Sequence, residues 1–179
     1  MLSIVIIAVV LFAIHFFAHR QLEFNYEVTI ASGISESWEV LGNQFTEPHL
    51  WAANFVTSKP GGQPKLDGLT YLHRATVTAS GDNWQELDEF DPQNHRLSYH
   101  ISKGLPKIAQ EAIGHWRLTE LTPNTTQLNV DFSLKTKGLI GFLMSPIASK
   151  KIDQASSQIV EELKYYIENG KPHPRKLSN

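Results

Sequence analysis

The chain has no cysteine. Disulfides, thiolate nucleophiles, iron–sulfur clusters and cysteine-based zinc sites are therefore excluded, and the redox compartment is left open. It also lacks an excess of positive charge. Lys and Arg number 16 against 18 Asp and Glu, for a net charge of −2, which argues against nucleic acid as a partner because phosphate recognition needs a concentrated basic surface. Missing too are a phosphate loop, a dinucleotide fingerprint, a nucleophile elbow and a Ser-His-Asp order. Eight histidines are present, but His49, His73, His95, His100, His115 and His173 are scattered without HExxH or comparable ligand spacing. The sequence thus calls for no metal and no cofactor.

What is present begins with an apolar run. Residues 1–18 read MLSIVIIAVVLFAIHFFA, with Ser3 and His15 as the only polar side chains. This is the short end of a membrane-spanning length, about 17–25 residues. A cleaved signal peptide has a similar length, but the basic leader is missing and Phe16 stands where a small residue precedes a cut. The expectation is an uncleaved single-pass transmembrane anchor over residues 1–20. Arg20, just beyond the apolar run, favours a cytoplasmic domain, while the free N-terminal amine pulls the other way.

The remainder, with 179 residues in the whole chain, 41% of them hydrophobic, suits one globular domain over 21–171 and a basic tail over 172–179. Leu22 to Ile30 alternates as a strand. Ser35 is positioned to cap a helix through Leu41, and Pro48 to open a further helical turn with Leu50 and Trp51. KPGGQPKLDG, Lys59 to Gly68, reads as a loop. Strand signals follow over 69–79, 84–90, 97–102, 108–121 and 126–136, separated by turns such as Asp91-Pro92-Gln93-Asn94. The last is clearest: Leu128, Val130, Phe132 and Leu134 alternate with Asn129, Asp131, Ser133 and Lys135. After Gly138 the period becomes helical, with Ile152, Ala155, Ile159, Val160, Leu163 and Ile167 on one stripe and Gly170 and Pro172 as the stop.

This order, and four segments in particular, resembles the START/Bet v 1-like superfamily, also called SRPBCC or polyketide cyclase-like. VTIASGISESWEVL is similar to its first strand turning into the first helix, although Ser32-Gly33 stands where proline is usual. WQELDEFDPQNHRLSYHI resembles paired strands about a D-P turn, HWRLTELTPNTTQLNVDFSLKTKG the penultimate hairpin, and LKYYIENG the end of the last helix. The resemblance spans Glu23 to Lys171. It implies an α+β helix-grip fold, a curved antiparallel sheet of about seven strands wrapped on a long C-terminal helix. It also implies an apolar pocket between sheet and helix that serves lipids or other hydrophobic small molecules.

On that reading Tyr71, Trp84, Tyr99, Trp116 and Phe132 of the sheet, with Ile152 and Ile159 of the helix, are the candidate ligand-binding residues. Aromatic side chains suit an apolar site, and they equally suit a packed core. No residue stands out as catalytic. Glu86 is the candidate, since a carboxylate facing an apolar pocket has a raised pKa and moves protons; a solvated strand face is the plainer reading. An enzyme acting on an apolar substrate requires a polar group inside, such as Glu86, Tyr99 or His73. GLIGFLMSPIAS, Gly138 to Ser149, is either a pocket mouth or lipid-dipping surface, or a broken first turn of the last helix packed on the sheet. The tail's Lys171, Arg175 and Lys176 suit either a disordered end or contact with anionic lipid headgroups.

Overall fold

Residues 19–79 and 81–178 are described in the computed structural model. Alternating side chains set most of its architecture. Strand β1 (Gln21–Ile30) turns inward Phe24, Tyr26, Val28 and Ile30 and outward Glu23, Asn25, Glu27 and Thr29. A short helix α1 (Ile34–Trp38) follows, then a π turn (Glu39–Asn43) and a 3-10 turn (Pro48–Leu50). Strands β2 (Phe55–Gly61), β3 (His73–Thr78), β4 (Gly81–Asp91), β5 (Arg96–Lys103), β6 (Ala109–Thr122) and β7 (Thr125–Thr136) form a meander. The chain closes with helices α2 (Gly138–Asn169) and α3 (Pro174–Leu177). All pairings are antiparallel in the order β1-β7-β6-β5-β4-β3-β2, so the first strand lies against the last. Bulges within β4–β5 and β6–β7 add twist and curve the sheet toward one face.

Two cross-strand rows build that inner face. One runs Tyr26–Val130–Trp116–Leu97–Phe90 and the other Phe24–Phe132–Gly114–Tyr99–Leu87. In the second row glycine is required by space: a Cβ on Gly114 would stand 2.9 Å from the Tyr99 ring and 3.1 Å from the Phe132 ring. Half of the face is covered by α2, whose Val160 and Leu163 are buried in the core, and half by Leu41, Phe45 and Trp51 of the segment after α1. Gly42 performs the same service there, letting the π turn close directly onto the Trp38 ring.

Helix α2 is clamped by polar contacts as well as by its apolar stripe. The Tyr26 hydroxyl donates to Asp153 Oδ1 at 2.7 Å, Lys164 Nζ to the Thr29 carbonyl at 2.7 Å, and Ala31 N–H to Glu168 Oε1 at 2.8 Å. The helix is longer than the stripe over 152–167 predicts, because GLIGFLMSPIAS continues it without a break. Pro146 removes the N–H that Phe142's carbonyl normally receives, and the Ser145 hydroxyl donates to that carbonyl instead, at 2.8 Å.

Other departures have local causes. Strand β2 extends through Lys59-Pro60-Gly61, which the sequence reads as loop. It is an edge strand, the one place where a strand tolerates proline. Gly33, not Ser35, occupies the cap position of α1. The tail is ordered rather than loose, because α3 docks on two carboxylates. Arg175 donates to Glu162 Oε1 and to Glu161 Oε2, both at 2.8 Å, and Lys176 Nζ reaches the Phe55 carbonyl at 3.0 Å. Residues 1–18 of the anchor expected over 1–20 lie outside the described residues. Among the described residues no helix is long and apolar enough to cross a membrane.

Glu162 is 1% exposed, and its second oxygen accepts the Ala53 N–H at 2.8 Å, joining α2, α3 and the segment leading into β2. Glu161 pairs with the same arginine from solvent. Replacing Glu162 by Ala is expected to lower unfolding free energy by roughly 2–4 kcal/mol, since a buried N–H and half a guanidinium lose their acceptors. Glu161→Ala is expected to change it by less than about 1 kcal/mol. Urea unfolding of the two variants checks the contrast.

Candidate ligand-binding site

Among the described residues, the inner face of the sheet carries one buried charge. Period two on β3 turns Arg74 and Thr76 inward while His73, Ala75 and Val77 face away. Arg74 is buried beneath the cover. Its Nε donates to Gln85 Oε1 at 2.6 Å, from the residue directly opposite on β4, and its Nη1 donates to the Phe45 carbonyl at 2.8 Å. Three rings enclose the guanidinium, with centroids at 4.2 Å (Phe45), 5.3 Å (Tyr99) and 5.7 Å (Phe55). Tyr71 stacks on Phe45 from the far side at 6.3 Å.

No carboxylate among the described residues lies within ion-pair reach of this cation. Burial pushes its pKa down to about 10, opposed by Tyr99 and Tyr71. The drop from an ordinary 12.5 sets roughly 3 kcal/mol against the charge at neutral pH, although the group remains protonated there. Burial pushes the Tyr99 hydroxyl the other way, raising its pKa, with Arg74 opposing the rise. Two further donors border the same spot. The indole N–H of Trp51 is buried without a hydrogen-bond partner among the described residues, and that of Trp116 is buried against the Tyr99 hydroxyl. Arg74, Tyr99, Trp51, Trp116 and Phe45 surround a gap of about 10 Å³. That is room for roughly one water, against roughly 300–1,000 Å³ for a drug-sized ligand. The place where sheet and cover meet is therefore narrow, and it sets the donors of Arg74, Trp51 and Trp116 beside the Tyr99 hydroxyl and the Gln44 amide.

The residues expected to line a pocket are distributed as follows. Tyr99 and Trp116 border the gap, and Tyr71 stands one ring behind it. Phe132 packs edge-on against Trp116 at 5.4 Å, deeper along the sheet. Ile159 packs on the core, and Ile152 is half-buried one helical repeat nearer the start of α2. Trp84 and Glu86 lie on the outer face, because Gln85 and Leu87 take the inward positions of β4. Trp84 stacks on His73 at 4.6 Å and lies under Lys103 Nζ at 4.6 Å. Glu86 pairs with Lys65 at 2.7 Å, and that hydrogen bond holds its pKa below the usual carboxylate range rather than above it. His73 therefore also looks outward, away from the gap.

Arg74, Phe45 and Gln85 are the members that sequence reasoning missed. The available signal was parity: a strand HRATVT with its arginine in phase with Thr76 puts a charge on whichever face also carries Gln85. A second cleft, about 130 Å³, opens on the outer face among Glu89, Arg96, His115, Arg117, Asn129 and Asp131. Arg96 is already paired there with Glu89 at 2.9 Å and Asp91 at 3.2 Å, so its charges are matched. Among the described residues no group of three or more His, Asp or Glu is placed to hold a metal ion.

No protein-family model and no curated protein matches the chain in sequence. Solved structures match its fold. A START superfamily protein from Mycobacterium smegmatis superposes with a TM-score of 0.68 at 12% identity, covering 84% of this chain and 99% of that one. The Zhui aromatase/cyclase from a Streptomyces species superposes with a TM-score of 0.58 at 15% identity over 87% of this chain and all of the other. Ara h 8.0201 does so with a TM-score of 0.58 at 19% identity, covering 89% of this chain and 100% of that one. The chain therefore has the helix-grip fold of START/Bet v 1-like and aromatase/cyclase structures, and at these identities the likeness speaks for the fold alone.

A buried cation held by two neutral acceptors and aromatic faces contributes little to stability. The double variant Arg74→Met/Gln85→Leu, which removes the charge and its cross-strand partner together, is expected to unfold within about 1 kcal/mol of the parent. Arg74→Met alone, which strands the Gln85 oxygen, is expected to be less stable than the double variant by roughly 1–3 kcal/mol. Thermal and urea melts of the three proteins decide it.

Proposed function

We propose that the chain binds a hydrophobic small molecule, lipid-like or isoprenoid-like, that carries an oxygen anion or carbonyl at one end. The apolar body lies between the sheet and its helical cover, and the oxygen is received by Arg74. One observation carries this reading: a buried guanidinium with no carboxylate partner among the described residues, beside the buried indole N–H of Trp51, which lacks an acceptor. An oxygen acceptor entering this gap would meet the guanidinium at short range, and charge-assisted bonds of this kind are strong. The helix-grip fold supports it, since its two facing surfaces are apolar around that point.

Uptake requires the cover to move. Leu41, Phe45 and Trp51 belong to a segment made of a π turn and a 3-10 turn, the least regular helical structure in the chain. Phe45 is the plug, seated between Arg74, Tyr99 and Tyr71. No carboxylate or histidine borders the gap, so the site offers hydrogen-bond donors without a general base, which favours binding over catalysis. The apolar residues 1–18 add a tether: as a single-pass anchor with the domain on the cytoplasmic side, they would keep the site beside a bilayer in which an apolar ligand is concentrated.

The test uses two fluorescent probes of one shape, anionic anilinonaphthalene sulfonate and uncharged phenylnaphthylamine. The parent is expected to take up both. The Arg74→Met/Gln85→Leu variant is expected to lose about 10- to 100-fold affinity for the anion while changing less than about threefold for the neutral probe. Phe45→Ala is expected to strengthen uptake of both by opening space beside Arg74. Equal losses for the two probes would remove Arg74's role, and no uptake by any variant would turn the reading toward a protein-interaction module with a filled interior.

A further inference from the structure

The outward side of α2 changes chemistry part-way along. In its first three turns Gly141 and Ser145 face the sheet and are buried, and a Cβ on Gly141 would meet the Ile108 carbonyl oxygen at 2.7 Å. The opposite side carries Ile140 (61% exposed), Leu143 (65%) and Ile147 (61%), with Phe142 and Met144 exposed on the flanks. That is one stripe at helical spacing, turned away from the core it would normally serve. Beyond Lys151 the same side becomes polar, with Gln154, Ser157 and Glu161.

Charge frames the stripe. Lys137 precedes it, Lys150 and Lys151 follow it, and no Asp or Glu occurs from Lys137 to Ile152. Arg20 joins it to the start of the domain. The guanidinium donates to Ser145 Oγ at 3.1 Å and lies 5.5 Å from the Phe142 ring centroid. Arg20, which follows the apolar run in sequence, therefore lies beside this patch.

We infer that the first three turns of α2 lie at the headgroup–acyl boundary of an anionic lipid bilayer, as a second membrane contact next to the tether. An exposed apolar stripe flanked by lysines has the chemistry of an interfacial helix. A second copy of the chain fits less well, because a symmetric contact brings lysines against lysines with no carboxylate in the stretch to meet them. The inference rests on the tether reading for its orientation and adds to it which surface of the domain faces the lipid.

The absence of native cysteine makes the test direct. In the full chain, Leu143→Cys and, on the polar half of the helix, Ser157→Cys each take one nitrobenzoxadiazole label. The labelled proteins are reconstituted into phosphatidylcholine–phosphatidylglycerol vesicles containing doxyl-labelled lipid. Quenching at Leu143→Cys is expected to exceed that at Ser157→Cys by at least about threefold, and to fall by about half when phosphatidylglycerol is omitted. A label at 143 that stays unquenched on vesicle-bound protein overturns the inference, whether water, residues 1–18 or a second copy covers the patch. Quenching unchanged without phosphatidylglycerol overturns the part assigned to the lysines. An alkaline wash reports separately on the tether: if it strips the chain from the vesicles the tether reading fails, and the quenching recorded before the wash still decides the patch.

Discussion

A curved seven-stranded sheet has one concave apolar face and cannot cover it with itself. Everything else in the molecule answers that constraint. The C-terminal half of α2 covers the side nearest β1 and β7 through Val160 and Leu163, and the segment from Leu41 to Trp51 covers the side nearest β3 to β5. The two covers differ in kind. The first is a regular helix held by a hydrogen bond or ion pair on almost every turn; the second is a short run of irregular turns held by Phe45 and Trp51 acting as wedges. Uneven covers of this sort give a domain one side that stays shut and one that opens at lower free energy.

The two buried charges follow the same division. Glu162, under the regular cover, is fully matched: one oxygen on a backbone N–H, the other on Arg175. Arg74, under the irregular cover, is matched only by neutral oxygens and ring faces. A charge that locks three segments together and a charge left short of an anion are different objects, although both are buried. The first explains why the C-terminal turn of chain is ordered. The second has no comparable structural return, which is why it carries the functional reading.

Much of this architecture was legible because it rests on period. Leu128, Val130, Phe132 and Leu134 declare their face without help, and the stripe through Val160 and Leu163 declares its own. What escaped depends on neighbours that period does not report. Whether Trp84 or Gln85 points inward is a single choice of parity, and in β4 a buried glutamine takes the inner position because Arg74 stands opposite it. Strand β2 was hidden by Pro60, which an edge tolerates and a central strand does not. The ordering of the tail was hidden because Glu162 looks in sequence like any solvated helix glutamate. Gly114 was unreadable for a different reason: its meaning lies in the two rings, Tyr99 and Phe132, that stand across from it on separate strands.

The placement of β1 against β7 also governs the order in which the molecule can be built. Arg20 N–H bonds to Thr136, 116 residues on, and every rung of the β1 ladder is made with β7. The first strand to leave the ribosome is therefore among the last to find its partner. Until β7 emerges, Phe24, Tyr26, Val28 and Ile30 are exposed on a backbone whose hydrogen-bonding groups are unmatched, the condition under which strands pair with the wrong chain. A chain cut short before Thr125 would lose far more than its final helices, because the sheet would be left without the strand that receives its beginning.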